Sequence, residues 1–152
     1  MDKNSIISKF KPDNDNLLNI LHELQNTNPN NYLSTDDLKL VAKYLNTTYS
    51  SVYGVVKYYS MFSLKPRGKY VIRVCKSPLC HMIDGNGLIE HIKQNIGIGL
   101  GETTNDHVFS VEASECIGHC DEAPVIMIND KVYKGLDSEK IKEIFQGIKS
   151  NQ

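Results

Sequence analysis

The sequence runs to 152 residues with 40% hydrophobic side chains, 17 Lys and Arg against 18 Asp and Glu, and a formal net charge of −1. That leaves room for one ordinary domain, or a small domain with a helical appendage. It is a poor electrostatic start for a nucleic-acid binder, whose affinity comes largely from neutralising phosphates.

No apolar run approaches the roughly 20 residues that span a bilayer, so no direct membrane insertion is expected. The start, Met1 to Ile7, has no apolar core of signal-peptide length. The expected address is therefore the reducing cytoplasm.

The first residues are polar and read as frayed. From Asp15 onward Leu17, Leu18, Ile20, Leu21 and Leu24 recur at helical spacing, with Asp13 or Asp15 as cap and Asn28-Pro29-Asn30 as the stop. A second helix opens at Ser34, a good N-cap, with Asp37 three residues on as a capping box. Its inward stripe is Leu38, Val41, Ala42 and Leu45. After a turn at Thr47-Thr48, the positions Val52, Tyr53, Val55, Val56 and Tyr59 predict a third helix ending near Met61-Phe62. Leu64-Lys65-Pro66-Arg67-Gly68-Lys69 is basic and holds both breakers, so the boundary falls there. Residues 1–64 form an N-terminal helical segment expected to grip a partner, and residues 65–152 form the second domain.

In that domain Tyr70 to Val74 reads as a strand leading into Cys75, and Gly87 to Ile96 as a helix with Leu88, Ile89, Ile92 and Ile96 inward. Val108 to Val111 is a second strand delivering the chain to Cys116. Val125 to Ile128 and Val132-Tyr133 flank Asn129-Asp130, a two-residue hairpin turn. Ser138 to Ile148 is a closing helix. The fold class is α+β: a small helical bundle, then an α/β domain whose order is compatible with a thioredoxin-like layer of helices on a mixed sheet.

Four cysteines stand in two tight pairs, Cys75-x4-Cys80 and Cys116-x3-Cys120, and there are 4 in all. Two close pairs separated by a helix-sized stretch suit a four-thiolate metal centre, because one loop supplies two ligands and the fold brings up the other two. Thiolates select zinc or iron–sulfur clusters over hard cations. In a reducing compartment metal ligation outranks disulfides. Pro78 is expected to stiffen the first loop, and Gly118 to free the backbone of the second so that amides point at sulfur. On residue types alone zinc and iron–sulfur both stand.

Longer stretches separate them. Val52-Tyr53-Gly54-Val55, Tyr59-Ser60-Met61-Phe62, Leu64 to Lys69, Val74-Cys75 through Cys80, Gly101-Glu102-Thr103-Thr104, Glu115 through Cys120, Ala123-Pro124-Val125 and Asn129-Asp130 occur in that order. In these the chain resembles the thioredoxin-like 2Fe–2S ferredoxin family. That is the roughly 24-kDa subunit type of NADH dehydrogenases and the gamma-type subunit of NAD-linked hydrogenases and formate dehydrogenases.

The resemblance implies one 2Fe–2S cluster held by Cys75, Cys80, Cys116 and Cys120. It also implies a flavoprotein partner that binds FMN and NAD(H), with further iron–sulfur, hydrogenase or formate dehydrogenase subunits. The chain would be a non-catalytic electron-transfer subunit of an NAD(H)-dependent oxidoreductase, of electron-bifurcating hydrogenase, formate dehydrogenase or complex I type. Where the family often has a small residue before its last cysteine and glycine after it, this chain has His119 and Asp121. His119 is thus the foremost neighbour expected to tune the centre.

Competing motifs are weaker. His81 and His119 invite a Rieske reading, but a full thiolate set leaves no vacancy for imidazole. Leu38 to Tyr59 resembles a helix-turn-helix, and a zinc-stapled DNA-binding regulator is the alternative function. Its reading face, Tyr49, Ser50, Tyr53 and Lys57, carries a single cation. Gly97-Ile98-Gly99-Leu100-Gly101 follows a helix, where phosphate-binding glycines precede one.

Overall fold

Ser34 and Asp37 cap each other. The Ser34 hydroxyl accepts the Asp37 amide at 3.2 Å while Asp37 Oδ2 accepts the Ser34 amide at 2.8 Å, so the expected capping box is complete. The computed structural model containing it describes residues 2–84 and 87–150. Two compact units emerge, Met1–Arg67 and Gly68–Gln152.

The first unit holds α1 (Lys3–Ile7), α2 (Leu17–Thr27), α3 (Thr35–Tyr44) and α4 (Tyr49–Tyr58). Ile20, Leu21, Leu33, Leu38, Val41 and Val52 are fully buried together, each contributing about 1.5–3 kcal/mol by leaving water. The start of the chain corrects the sequence expectation. Residues read as frayed form α1, capped by Asp2, because Ile6 and Ile7 are drawn into this core.

The third helix also ends earlier than its periodicity predicts, at Tyr58 rather than near Phe62. Buried Gln25 donates to the Met61 carbonyl at 3.0 Å and accepts the Ser63 amide at 2.8 Å. Buried Arg67 donates to the carbonyls of Met61 at 2.8 Å and Ser60 at 3.3 Å. These side chains satisfy the 60–63 backbone, so it needs no helical partners.

The second unit runs β1 (Tyr70–Cys75), α5 (Pro78–Asp84), α6 (Gly87–Ile96), β2 (Phe109–Ser114), β3 (Ile126–Ile128), β4 (Lys131–Tyr133) and α7 (Ser138–Ser150). The strand order is β2-β1-β3-β4, with β1–β2 parallel and the other pairs antiparallel. This is a mixed sheet, as expected. Helices α6 and α7 pack on it through Leu88, Ile92, Ile141 and Phe145 against Ile72, Val74, Val111 and Ile126.

The hairpin turn at Asn129-Asp130 forms with Asn129 at φ 52°. The Asn129 side chain accepts the Val71 amide at 2.9 Å and donates to the Lys69 carbonyl at 3.2 Å, tying the hairpin to the start of β1. One element is new: Pro78–Asp84, read from sequence as loop, is helix α5.

Candidate metal centre

Register brings the two cysteine segments together. Cys75 is the last residue of β1 and pairs with Ser114, the last of β2, so both parallel strands end at one edge. The chain leaving β2 reaches Cys116 two residues later. It must then return to start β3 antiparallel to β1, where Val74 faces Ile126. The Cys75 amide donates to the Val125 carbonyl at 3.3 Å. The Cys116–Cys120 loop therefore spans the carboxyl end of β1, where α/β sheets place their ligands.

Each thiol has a defined setting. Cys75 and Cys80 are buried, Cys120 is half-buried and Cys116 is exposed. All four are free thiols. Cys80 lies in the first turns of α5, which starts because Ser77 stands at the N-cap position and its carbonyl accepts the His81 amide at 3.0 Å, while Pro78 takes the first helical position. Pro78 thus opens a helix rather than stiffening a turn. Cys75, Cys80 and Val125 form a small apolar cluster covered by Ile117, Ala123 and Val132. On the second loop the Cys116 and Cys120 sulfurs are 3.3 Å apart, and Cys120 begins a 3-10 turn through Glu122.

Polar groups converge on the sulfurs. Burial pushes the Cys75 thiol up, but the Ser77 hydroxyl and amide and the Ile117 amide outweigh it and hold the thiol below its ordinary range. The Ser77 hydroxyl lies 3.4 Å from Cys75 Sγ. For Cys80, burial and the adjacent Cys75 push the thiol up against help from the Val125 amide. Cys120 is pushed up first by its hydrogen bond to Cys116, then by burial, and then by the charges of Cys116, Cys80 and Cys75. The charges of Cys75 and Cys80 thus reach Cys120 on the other segment.

Gly118 sits at φ 90°, and its amide donates to Cys116 Sγ at 3.4 Å. His119 is half-buried. Its carbonyl accepts the Glu122 amide at 3.2 Å, and among the described residues its imidazole makes no hydrogen bond. Ser77, Ile117 and Val125 escaped the sequence reading. Only Ser77 had a local signal, its position as a serine directly before a proline.

The donor set fits a 2Fe–2S cluster. The thiols lie as two pairs, Cys75 with Cys80 and Cys116 with Cys120, and a two-iron centre takes two ligands at each iron. Amide and hydroxyl donors at sulfur offset the charge that four thiolates and their cluster bring.

Comparison with known proteins agrees. Residues 3–149 match the family described as thioredoxin-like 2Fe-2S ferredoxin. An NADH-quinone oxidoreductase subunit of Aquifex aeolicus is 38% identical over 138 residues, 91% of this chain and 85% of that protein. Its counterpart in Mycobacterium tuberculosis is 30% identical over 151 residues, and this chain spans 59% of that relative's length. The NADP-reducing hydrogenase subunit HndA of Solidesulfovibrio fructosivorans is 32% identical over 84% of this chain and 74% of its own. In three dimensions a crystal structure of an NAD+-reducing NiFe-hydrogenase superposes with a TM-score of 0.78 at 22% identity, over 90% of this chain and 22% of that one.

Proposed function

Because this chain belongs to the thioredoxin-like 2Fe–2S ferredoxin family, we propose that it is the iron–sulfur electron-transfer subunit of an NAD(H)-linked oxidoreductase complex. One observation supports the reading: the two cysteine pairs, 36 residues apart from Cys80 to Cys116 by number, stand on segments that meet at the carboxyl end of β1, where Ile117 of the second loop packs on buried Cys75 and Cys80. Cys75, Cys80, Cys116 and Cys120 would hold the cluster.

Bound there, a 2Fe–2S cluster supplies single-electron exchange. NADH gives two electrons and one proton as hydride to the partner's FMN, which passes the electrons on singly. The residues of this chain set the conditions. Ser77, Ile117, Gly118 and Val125 present donors to sulfur, so an added electron is stabilised by fixed dipoles. The Cys75–Cys80–Val125 cluster keeps water from the inner pair. The exposed Cys116 leaves one edge open to a redox partner.

The N-terminal helical segment, 1–64, supplies docking surface, and the segment 65–152 carries the centre. The same role serves an electron-bifurcating hydrogenase, a formate dehydrogenase or a complex I type assembly. Among the described residues no helix is long and apolar enough to cross a membrane, and reduced thiols suit the cytoplasm.

Anaerobic purification tests the assignment. A brown protein with about two irons per chain, and visible absorption that bleaches with dithionite, is the expected result. A colourless protein with one zinc per chain overturns it.

A further inference from the structure

Cys120, the last of the four thiols, stands on a turn that cannot hold itself. The turn is three residues of 3-10 helix, Cys120–Glu122, closed by one bond from the Glu122 amide to the His119 carbonyl at 3.2 Å. Pieces this short have poor hydrogen-bond geometry and gain little from it. Among the described residues His119, at the N-cap position, gives the turn no side-chain bond, and Asp121 and Glu122 are exposed. The inner thiols differ: Cys75 ends a strand and Cys80 lies in a helix, both buried. Whatever fixes Cys120 must therefore come from outside its turn.

It comes from the exit of β4. Lys134 follows that strand directly, and its ammonium meets Glu122 Oε1 at 2.5 Å. The neighbouring Gly135 amide donates to the Glu122 carbonyl at 2.6 Å, and the Leu136 amide to the Pro124 carbonyl at 3.3 Å. Gly135 is held in turn. It sits at φ 56°, a conformation open to glycine and strained for most other residues, and its carbonyl accepts the Lys140 ammonium of α7 at 2.7 Å. One line of contacts thus runs from α7 through Gly135 and Glu122 to the turn of Cys120. The Lys134 ammonium also feels the charge of Asp121, so both acidic residues that follow Cys120 draw it to this loop.

Exposed ion pairs usually contribute little, because two long side chains must be ordered for one contact. Lys134 and Glu122 are 34% and 52% exposed, but the backbone beneath them is already joined. Less freedom remains to be lost, and the contact restrains a loop whose movement would part Cys120 from the other thiols. We propose that Lys134 is a positioning residue for the metal centre: by holding Glu122 it latches the turn of Cys120 to the exit of β4, and so sets how long the outer pair of thiols keeps its iron. This rests on the iron–sulfur reading above.

Iron release from the full-length chain tests the latch, with the ferrous chelator bathophenanthroline disulfonate as probe under anaerobic, reducing conditions. Wild type is compared with Lys134→Met, Glu122→Gln and the exchanged pair, Glu122→Lys with Lys134→Glu. Each single variant should release iron about two- to fivefold faster, the range an exposed pair allows, and the exchanged pair should return to the wild-type rate. High salt should speed release from the wild type and leave Lys134→Met unchanged. Hydrogen exchange read by mass spectrometry supplies an arm that needs no iron. Amides of residues 116–122 should exchange faster in both single variants, while those of β1 and α6 keep their wild-type rates.

Unchanged release in both single variants overturns the assignment. Opposite changes in the two, or no recovery in the exchanged pair, would mean that the charges act on the centre directly, and overturn it as well. So does exchange accelerated across the whole second unit, which would make the pair a general stabiliser. A wild-type chain that carries no iron overturns the iron–sulfur reading, while exchange confined to the loop still decides the latch.

Discussion

Ile117, on the second cysteine loop, packs against Cys75 at the end of β1, and its amide helps hold the Cys75 thiol below its ordinary range. This contact joins segments distant in sequence, and neither cysteine pair makes it within its own loop. It ties the backbone of one pair to the charge of the other, so disturbance of either loop is felt at both.

Cys116→Ser should remove the cluster and spare the N-terminal unit. The buried core of that unit, from Ile6 to Phe62, contains no cysteine. Visible absorption is expected to disappear while far-UV circular dichroism keeps the helical signal of residues 3–58. Collapse of that signal would mean the metal nucleates the whole fold.

Ser77→Ala removes the hydroxyl 3.4 Å from Cys75 Sγ. A hydrogen bond to sulfur favours the more negative, reduced state, and one such bond is worth about 1 kcal/mol. For a one-electron couple the potential should fall by up to about 40 mV, read in a redox titration followed by electron paramagnetic resonance. A rise would show that the hydroxyl does not donate to sulfur.

Gly68→Ala should destabilise the second unit. A Cβ there would stand 2.6 Å from the Phe109 carbonyl carbon and 2.7 Å from its nitrogen. Both are backbone atoms of a strand and cannot turn aside. The Gly68 amide also donates to Ser110 Oγ at 2.7 Å, so displacement loses a buried hydrogen bond. A loss of about 1–3 kcal/mol in denaturant unfolding is expected; unchanged stability would contradict the close approach.

Asp37 makes the first unit acid-sensitive. Burial raises its carboxyl, but the Lys3 ammonium at 2.7 Å and the Ser34 hydroxyl and amide outweigh this and hold it below the ordinary range. A depressed folded-state value means that the stabilisation is whole above the unfolded carboxylate range, about 3.9. It is lost as pH falls through the folded value. Asp37→Asn should lower stability at neutral pH by about 1–2 kcal/mol and flatten the acid limb of the stability profile. An unchanged acid limb would assign the sensitivity to another group.

What could be read along the chain follows the range of the forces involved. Ser34 with Asp37, the apolar stripe of α2 and the Asn129-Asp130 turn rest on contacts within a few residues, so each was legible locally. The identity of the four candidate ligands was legible too, because thiols at short spacing carry their own chemistry. Helix α1 was not, since two isoleucines show no period and become helical only against a core assembled elsewhere. Nor was α5, whose seven residues are too few to display periodicity.

The sequence by itself determined the four candidate thiols, most of the elements and the family. The tertiary structure decided that β1 and β2 end at one edge, that β3 returns beside Cys75, and that Ile117 and Val125 pack beside Cys75 and Cys80 on the other segment. Those outcomes depend on strand order and register. Packing between distant segments sets both, and no local pattern encodes it.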